Sequence, residues 1–98
     1  MFCFNDMTAI GLMAVLQDAG IMPGKGIGII GFDDIQDARY WRPTLTTVAT
    51  PPSRLGEIAV DVLLKRIAQP DKPVEHVIYA PQVVVRQSCG CRRRTDEN

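Results

Sequence analysis

An α/β fold with a mostly parallel sheet flanked by helices is the class this sequence predicts, and three observations carry it. Apolar runs of strand length alternate along the chain with segments of helix length. One run, Ile27-Gly28-Ile29-Ile30-Gly31-Phe32, is continuously apolar and rich in β-branched residues, as a strand buried on both faces of a parallel sheet must be. Residues 54–68 carry a single apolar stripe at helical spacing, the mark of a helix laid one face down on a sheet.

Met1-Phe2-Cys3-Phe4 opens the chain, and Phe2 to Phe4 reads as a buried strand at full strength, without the polar lead-in that termini usually carry. That abruptness predicts a chain beginning mid-domain. Asn5 or Asp6 can cap a helix from Met7 to Ala19, closed by Gly20 with Pro23 just beyond. Its apolar residues go almost all the way round, so it should be covered on every face, by a missing segment, a second subunit or the rest of a small domain. The Ile27 to Phe32 strand follows, bounded by Gly24 and by Asp33-Asp34. A polar segment of one or two helical turns then runs to Arg42, and Pro43 ends it.

Leu45 to Thr50 has β-propensity and partial alternation, and Pro51-Pro52 closes it as a strand. Ser53 is a good cap for the helix from Arg54 to Ala68, whose Leu55, Ile58, Ala59, Val62, Leu63 and Ile67 form the apolar stripe. Asp61, four residues before Lys65, adds an ion pair on the wet side. Pro70 stops the helix. Two further strands are expected at Val74 to Tyr79 and Gln82 to Gln87, separated by Ala80-Pro81, and the segment from Ser88 to Asn98 is expected to fray. The order is β-α-β-(short α)-β-α-β-β, with residues 1–88 forming the domain and 89–98 a flexible tail.

Composition narrows the function classes. The chain has 98 residues, with Lys+Arg 11 balancing Asp+Glu 11, so it has no overall basic field to draw in nucleic acid or an anionic membrane. Its apolar runs are broken well short of the roughly 18 residues a membrane span needs, and its opening lacks the basic start of a secretory signal. A cytoplasmic protein without membrane contact is the expectation. At this length only about 60 to 65% of the unfolded surface is buried on folding, so one-sided apolar elements need outside partners.

Candidate chemistry is sparse. Gly26-Ile27-Gly28-Ile29-Ile30-Gly31 fits G-x-G-x-x-G, but the glycines lie inside a strand with no helix opening in the motif, so they should serve close helix approach rather than phosphate. Asp33 and Asp34 sit just past the carboxyl end of that strand, the edge of an open α/β sheet where ligands bind. A carboxylate there can accept from vicinal hydroxyls or a purine N–H; the alternative is that it caps the short helix near Ile35, with one aspartate doing each job. Asn5-Asp6 stands in the same relation to the first strand. Adjacent strand residues point to opposite faces, so the paired carboxylates make neither an acid/base pair nor a metal site. His76 is alone. Cys89-Gly90-Cys91 lacks further ligands for zinc and reads as a pair of surface thiols, and Arg92-Arg93-Arg94 as a solvated tail. No catalytic constellation, metal site or cofactor site emerges.

Taken together and in order, Phe2-Cys3-Phe4-Asn5-Asp6-Met7-Thr8-Ala9-Ile10-Gly11, Gly20-Ile21-Met22-Pro23, Ile29-Ile30-Gly31-Phe32-Asp33-Asp34-Ile35, Pro43-Thr44-Leu45-Thr46-Thr47-Val48, Leu55-Gly56 and Val84-Val85-Arg86 resemble the C-terminal part of the LacI/GalR family of bacterial transcription regulators, over nearly the whole chain to Cys89. The resemblance implies a partial type I periplasmic-binding-protein-like fold: two α/β subdomains joined by three crossovers, with a small-molecule effector, a sugar or purine, in the cleft. It implies effector contacts at Asn5 and Asp33, and places Thr50 and Pro52 where some members line the cleft, although proline there replaces a polar or aromatic side chain. It implies a homodimer contact through Ile10, Tyr40 and Trp41. It also implies that this chain is about the last third of such a regulator, reaching DNA only through a helix-turn-helix absent from these residues. A fragment of a sugar-binding receptor of an ABC transporter is the alternative, and an α/β enzyme using Asp33 or Asp34 is a third reading.

Overall fold

A computed structural model describes residues 1–91, and Arg92-Arg93-Arg94 of the expected tail lie outside the described residues. The chain divides into two compact units, one formed by Met1–Ala49 with the segment from Gln82 onward, the other by Thr50–Pro81. The elements are α1 (Asp6–Asp18), β1 (Ile30–Asp33), α2 (Asp37–Tyr40), β2 (Thr46–Ala49), α3 (Pro52–Ala68) and β3 (Gln82–Val84).

In the first unit the sheet order is β1-β2-β3. β1 and β2 are parallel, with Ile30 opposite Thr46 and Asp33 opposite Ala49; β3 runs antiparallel to β2. The opening segment adds to the parallel side through a single bridge, Phe2 opposite Ile30, with the Ile30 N–H donating to Met1 O at 2.9 Å and the Cys3 N–H to Ile30 O at 2.8 Å. The expected Phe2 to Phe4 strand is therefore reduced to one bridge, because Asn5 already turns the chain into α1.

α1 starts where Asn5 Oδ1 accepts the Thr8 N–H at 2.9 Å, and it closes at Ala19 with Gly20 at φ +82°, a conformation glycine adopts without side-chain strain. One face of the helix buries Ala9 and Met13 against Cys3, Ile29, Ala38 and Leu45, with Ile10, Leu12, Leu16, Ile27 and Trp41 packed around them. Full burial of Met13, Ile29 and Leu45 contributes about 1.5–3 kcal/mol each. The opposite face, with Met7 and Val15, is exposed, so within this unit α1 is covered on one side only.

Two strand boundaries and the segment after them differ from those expected. The Ile27 to Phe32 run is strand only from Ile30, since Ile27 O accepts from Gly24 N–H and Ile29 N–H is drawn to Ser88 O at 2.8 Å. The Gln82 to Gln87 ladder stops at Val84, because the Arg86 N–H goes to Thr46 Oγ1 at 2.8 Å instead of a backbone carbonyl. Ser88, expected to fray, is fully buried; its Oγ donates to Ile29 O at 2.6 Å and accepts the Thr46 N–H at 2.9 Å. It fastens the chain end across two strands.

The second unit is α3 and the segment after it. Ser53 is not the cap: Pro52 already occupies the first turn, where a missing N–H costs nothing, and no side chain caps the start. The apolar stripe lines a groove of about 550 Å³ with Pro73, Val74 and Val77. Lys65 and Asp61 pair at 3.2 Å as their spacing predicts, an exposed contact worth about 0.3–0.5 kcal/mol. Val74 to Tyr79 forms no strand; it stays exposed, with no neighbouring strand to satisfy its backbone among the described residues. Among these residues no helix is long and apolar enough to cross a membrane.

Gly31 marks where helix and sheet meet most closely: a Cβ there would lie 2.3 Å from Asp6 Oδ1 and 3.1 Å from Leu45 Cδ2. Gly31→Ala should destabilise the chain by about 1–3 kcal/mol in urea unfolding. Gly11→Ala, in α1 with nothing within 4 Å of the added carbon, should stabilise it by about 0.5–1 kcal/mol.

Candidate functional site

The carboxyl ends of the opening segment and β1 lie side by side. Phe2 and Ile30 form a parallel bridge, Asn5 lies three residues past Phe2 at the start of α1, and Asp33, three past Ile30, ends β1 opposite Ala49 on β2. This is the sheet edge at which loops diverge and ligands find room.

Asp6 builds that edge. It is fully buried, accepts the Thr47 Oγ1–H at 2.6 Å through Oδ1, and accepts the Ile35 N–H at 2.8 Å through Oδ2. One carboxylate thus ties the start of α1 to β2 and to the loop leaving β1. It also settles how that loop is capped: the N–H near Ile35 is met by Asp6 from 29 positions away, not by Asp33 or Asp34.

Asp33 and Asp34 both lie in the left-handed region, at φ +121° and +60°. Aspartate tolerates such backbone better than most residues, but the conformation persists only where its surroundings hold it. Asp34 is what is held. Its Oδ1 accepts from Arg86 Nη2 at 2.9 Å, with both side chains only 15% exposed, and its N–H donates to Thr47 Oγ1 at 3.2 Å. Arg39 approaches the other oxygen at 3.7 Å from an exposed position. Arg86 is itself fixed, its Nη1 donating to Leu45 O at 2.9 Å. The expected division, one aspartate capping and one free, is corrected in its first half: Asp34 takes an arginine.

With Asp34 turned inward, Asp33 is exposed, and its carboxylate has no hydrogen-bond or ion-pair partner among the described residues. Asn5 spends its Oδ1 on the α1 cap, which leaves the amide Nδ2 as a donor. A donor and a carboxylate acceptor at adjacent strand ends match a group that accepts and donates at once, such as a pair of hydroxyls or an N–H beside a ring nitrogen.

The remaining candidates lie elsewhere. Thr50 and Pro52 belong to the second unit, half-buried and exposed respectively. Ile10 and Trp41 are half-buried around the core of the first unit, Trp41 Nε1 being buried without a partner among the described residues, and Tyr40 is 68% exposed. Among the described residues, no group of three or more His, Cys, Asp or Glu could hold a metal ion. The Asp34–Arg86 pair and the Asp6–Thr47 bond escape sequence reasoning; the available signal was an arginine closing the apolar run Val83-Val84-Val85.

Residues 1–89 match the model of the periplasmic binding protein-like domain. The chain is 42% identical over 87 residues to the HTH-type transcriptional repressor PurR of Vibrio atlanticus, and 37% identical over 87 residues to the ribose operon repressor of Haemophilus influenzae, covering 89% of this chain in each case. It spans only about a quarter, 26%, of the length of either relative. Among solved structures, a LacI family regulator from Enterococcus faecium with bound ribose superimposes with a TM-score of 0.81 at 35% identity, covering 94% of this chain and 34% of that one. The lac repressor dimer bound to operator and an anti-inducer gives a TM-score of 0.83 at 29% identity, covering 91% and 27%.

The Asp34–Arg86 contact makes a stability prediction. Asp34→Ala should cost about 2–4 kcal/mol in urea unfolding, because it strands a half-buried guanidinium. Adding Arg86→Ala should cost less than the sum of the two single changes.

Proposed function

We propose a function from one premise: the chain belongs to the periplasmic binding protein-like family, as part of the core of a LacI-type transcription regulator. Its relatives are transcriptional repressors and not enzymes. Within a complete regulator these residues contribute part of the effector cleft and part of the core dimer contact. Asn5 and Asp33 bind the effector, a sugar or a purine, and Thr50 and Pro52 are further effector-contact positions. Ile10, Tyr40 and Trp41 meet the second protomer. Effector binding biases the closure of the cleft, and the dimer passes that change to DNA-binding heads carried by the rest of the regulator, in the cytoplasm.

One observation supports this reading: Asp33, at the carboxyl end of β1, is exposed and unpartnered among the described residues, while Asp34 is locked to Arg86. A carboxylate held out in a strained backbone conformation, beside a free amide donor, is what recognition of a hydroxylated or N–H-bearing ring requires. The ribose-bound state of the Enterococcus faecium neighbour and the ribose operon repressor among the relatives support the sugar class.

Calorimetry of the complete regulator against pentoses, hexoses and purines tests the reading. One of these should bind, and Asp33→Ala should weaken it at least about tenfold, or 1.4 kcal/mol. Affinity unchanged in that variant would overturn the assignment.

A further inference from the structure

The Cys89-Gly90-Cys91 segment is a fastened turn rather than a loose end. Ser88 anchors it to Ile29, just before β1, and to Thr46 of β2, Ser88 N–H donates to Thr44 O at 2.9 Å, and Gly90 N–H donates to Gln87 O at 3.2 Å. Its backbone packs directly on the loop before β1: a Cβ on Gly28 would lie 2.7 Å from Cys89 O, and one on Gly90 would lie 2.6 Å from Gly24 O. These contacts require glycine, and Gly90 at φ +73° turns the chain between the two cysteines. Sequence reasoning saw two surface thiols; in the structure only Cys91 is exposed, and Cys89 is half-buried.

The turn brings the two residues together. The Cys91 N–H donates to Cys89 Sγ at 3.2 Å, aiming a backbone donor at the sulfur. Residues two apart in an extended chain lie about 6.6–7.2 Å apart, and the reversal at Gly90 brings them toward the roughly 4.4–6.8 Å that a disulfide needs. Burial alone would push the Cys89 thiol up. The hydrogen bonds it receives from the Cys91 thiol, the Thr46 hydroxyl and the Cys91 N–H outweigh burial and hold it below the usual cysteine range. Cys91, donating to Cys89 and facing its charge, moves upward and keeps its proton. The two thiols are chemically unlike, Cys89 the more easily ionised and Cys91 the less.

We propose that Cys89 and Cys91 form a peroxide-reactive pair, Cys89 as nucleophile and Cys91 as resolving thiol, that closes to an intramolecular disulfide. The Cys89 thiolate attacks one oxygen of a hydroperoxide; the O–O bond breaks and the leaving oxygen takes up a proton, giving water or an alcohol and a sulfenic acid on Cys89. Cys91, losing its proton, attacks the Cys89 sulfur. The S–O bond breaks, and hydroxide leaves with that proton as water. The two thiols lose two electrons and two protons, and with hydrogen peroxide as oxidant the products are the disulfide and two waters. Metal binding is the weaker use of the pair, since no third ligand joins it among the described residues.

Treating the reduced chain with one equivalent of hydrogen peroxide, followed by thiol counting and peptide mass analysis, tests the proposal. The expected result is loss of the Cys89 and Cys91 thiols together, a peptide lighter by two hydrogens, and buried Cys3 still reduced. Cys91→Ser should let a sulfenic acid trap label Cys89, whereas Cys89→Ser should slow reaction at Cys91 at least about tenfold. Alkylation should follow ionisation of Cys89 at a pH below that of an ordinary thiol and of Cys91 at a pH above it. Unfolding in denaturant should remove the rate advantage of Cys89. Equal reactivity of the two cysteines in the single variants, the same rate folded and unfolded, or only intermolecular disulfides would overturn the proposal.

Discussion

The buried carboxylate of Asp6 is the constraint on which the rest of this structure depends. It sits at the first turn of α1, where the helix's free N–H groups favour negative charge, and it reaches two other pieces of backbone, β2 through Thr47 and the loop after β1 through Ile35. Charge-assisted bonds of this kind contribute about 1.5–3 kcal/mol each, and a buried carboxylate is tolerable only when its oxygens are used. The geometry leaves no room for a side chain at Gly31, whose position meets Asp6 Oδ1 directly. A motif that resembles a phosphate loop in sequence is thus a set of close approaches. Gly31 admits α1, and Gly28 admits the Cys89 backbone.

From that anchor the binding edge follows. Asp6 and Thr47 fix the loop that carries Asp33 and Asp34, and Arg86 draws Asp34 inward from the far side of the sheet. Asp33 is what remains, exposed at the end of β1. Neighbouring residues differ in the same way twice over: Asn5 is half-buried beside buried Asp6, and Asp33 is exposed beside Asp34, which is paired with Arg86.

Much of this was legible in the chain. A cap for α1 at Asn5 or Asp6, of which Asn5 is the one used, the closing Gly20 and the helical stripe of α3 are local signals, set by spacing and turn chemistry, and the alternation of strands with helices signals a mostly parallel sheet, as β1 and β2 are. What escaped was non-local. Nothing near Ile35 announces that its cap comes from Asp6, and nothing near Ser88 announces that its hydroxyl joins Ile29 to Thr46. Val74 to Tyr79 has strand composition but finds no partner among the described residues, and composition alone cannot supply one. The exposed apolar faces of α1 and α3 belong with a chain that spans a quarter of its relatives' length, in which the rest of the core has its own surfaces to cover.

A double-mutant cycle on Asp6→Ala and Thr47→Val, read by urea unfolding, tests the central claim most directly. The account predicts a coupling of about 1–3 kcal/mol, since each residue holds the other in place. Additivity to within about 0.5 kcal/mol would mean that Asp6 does not organise the sheet edge.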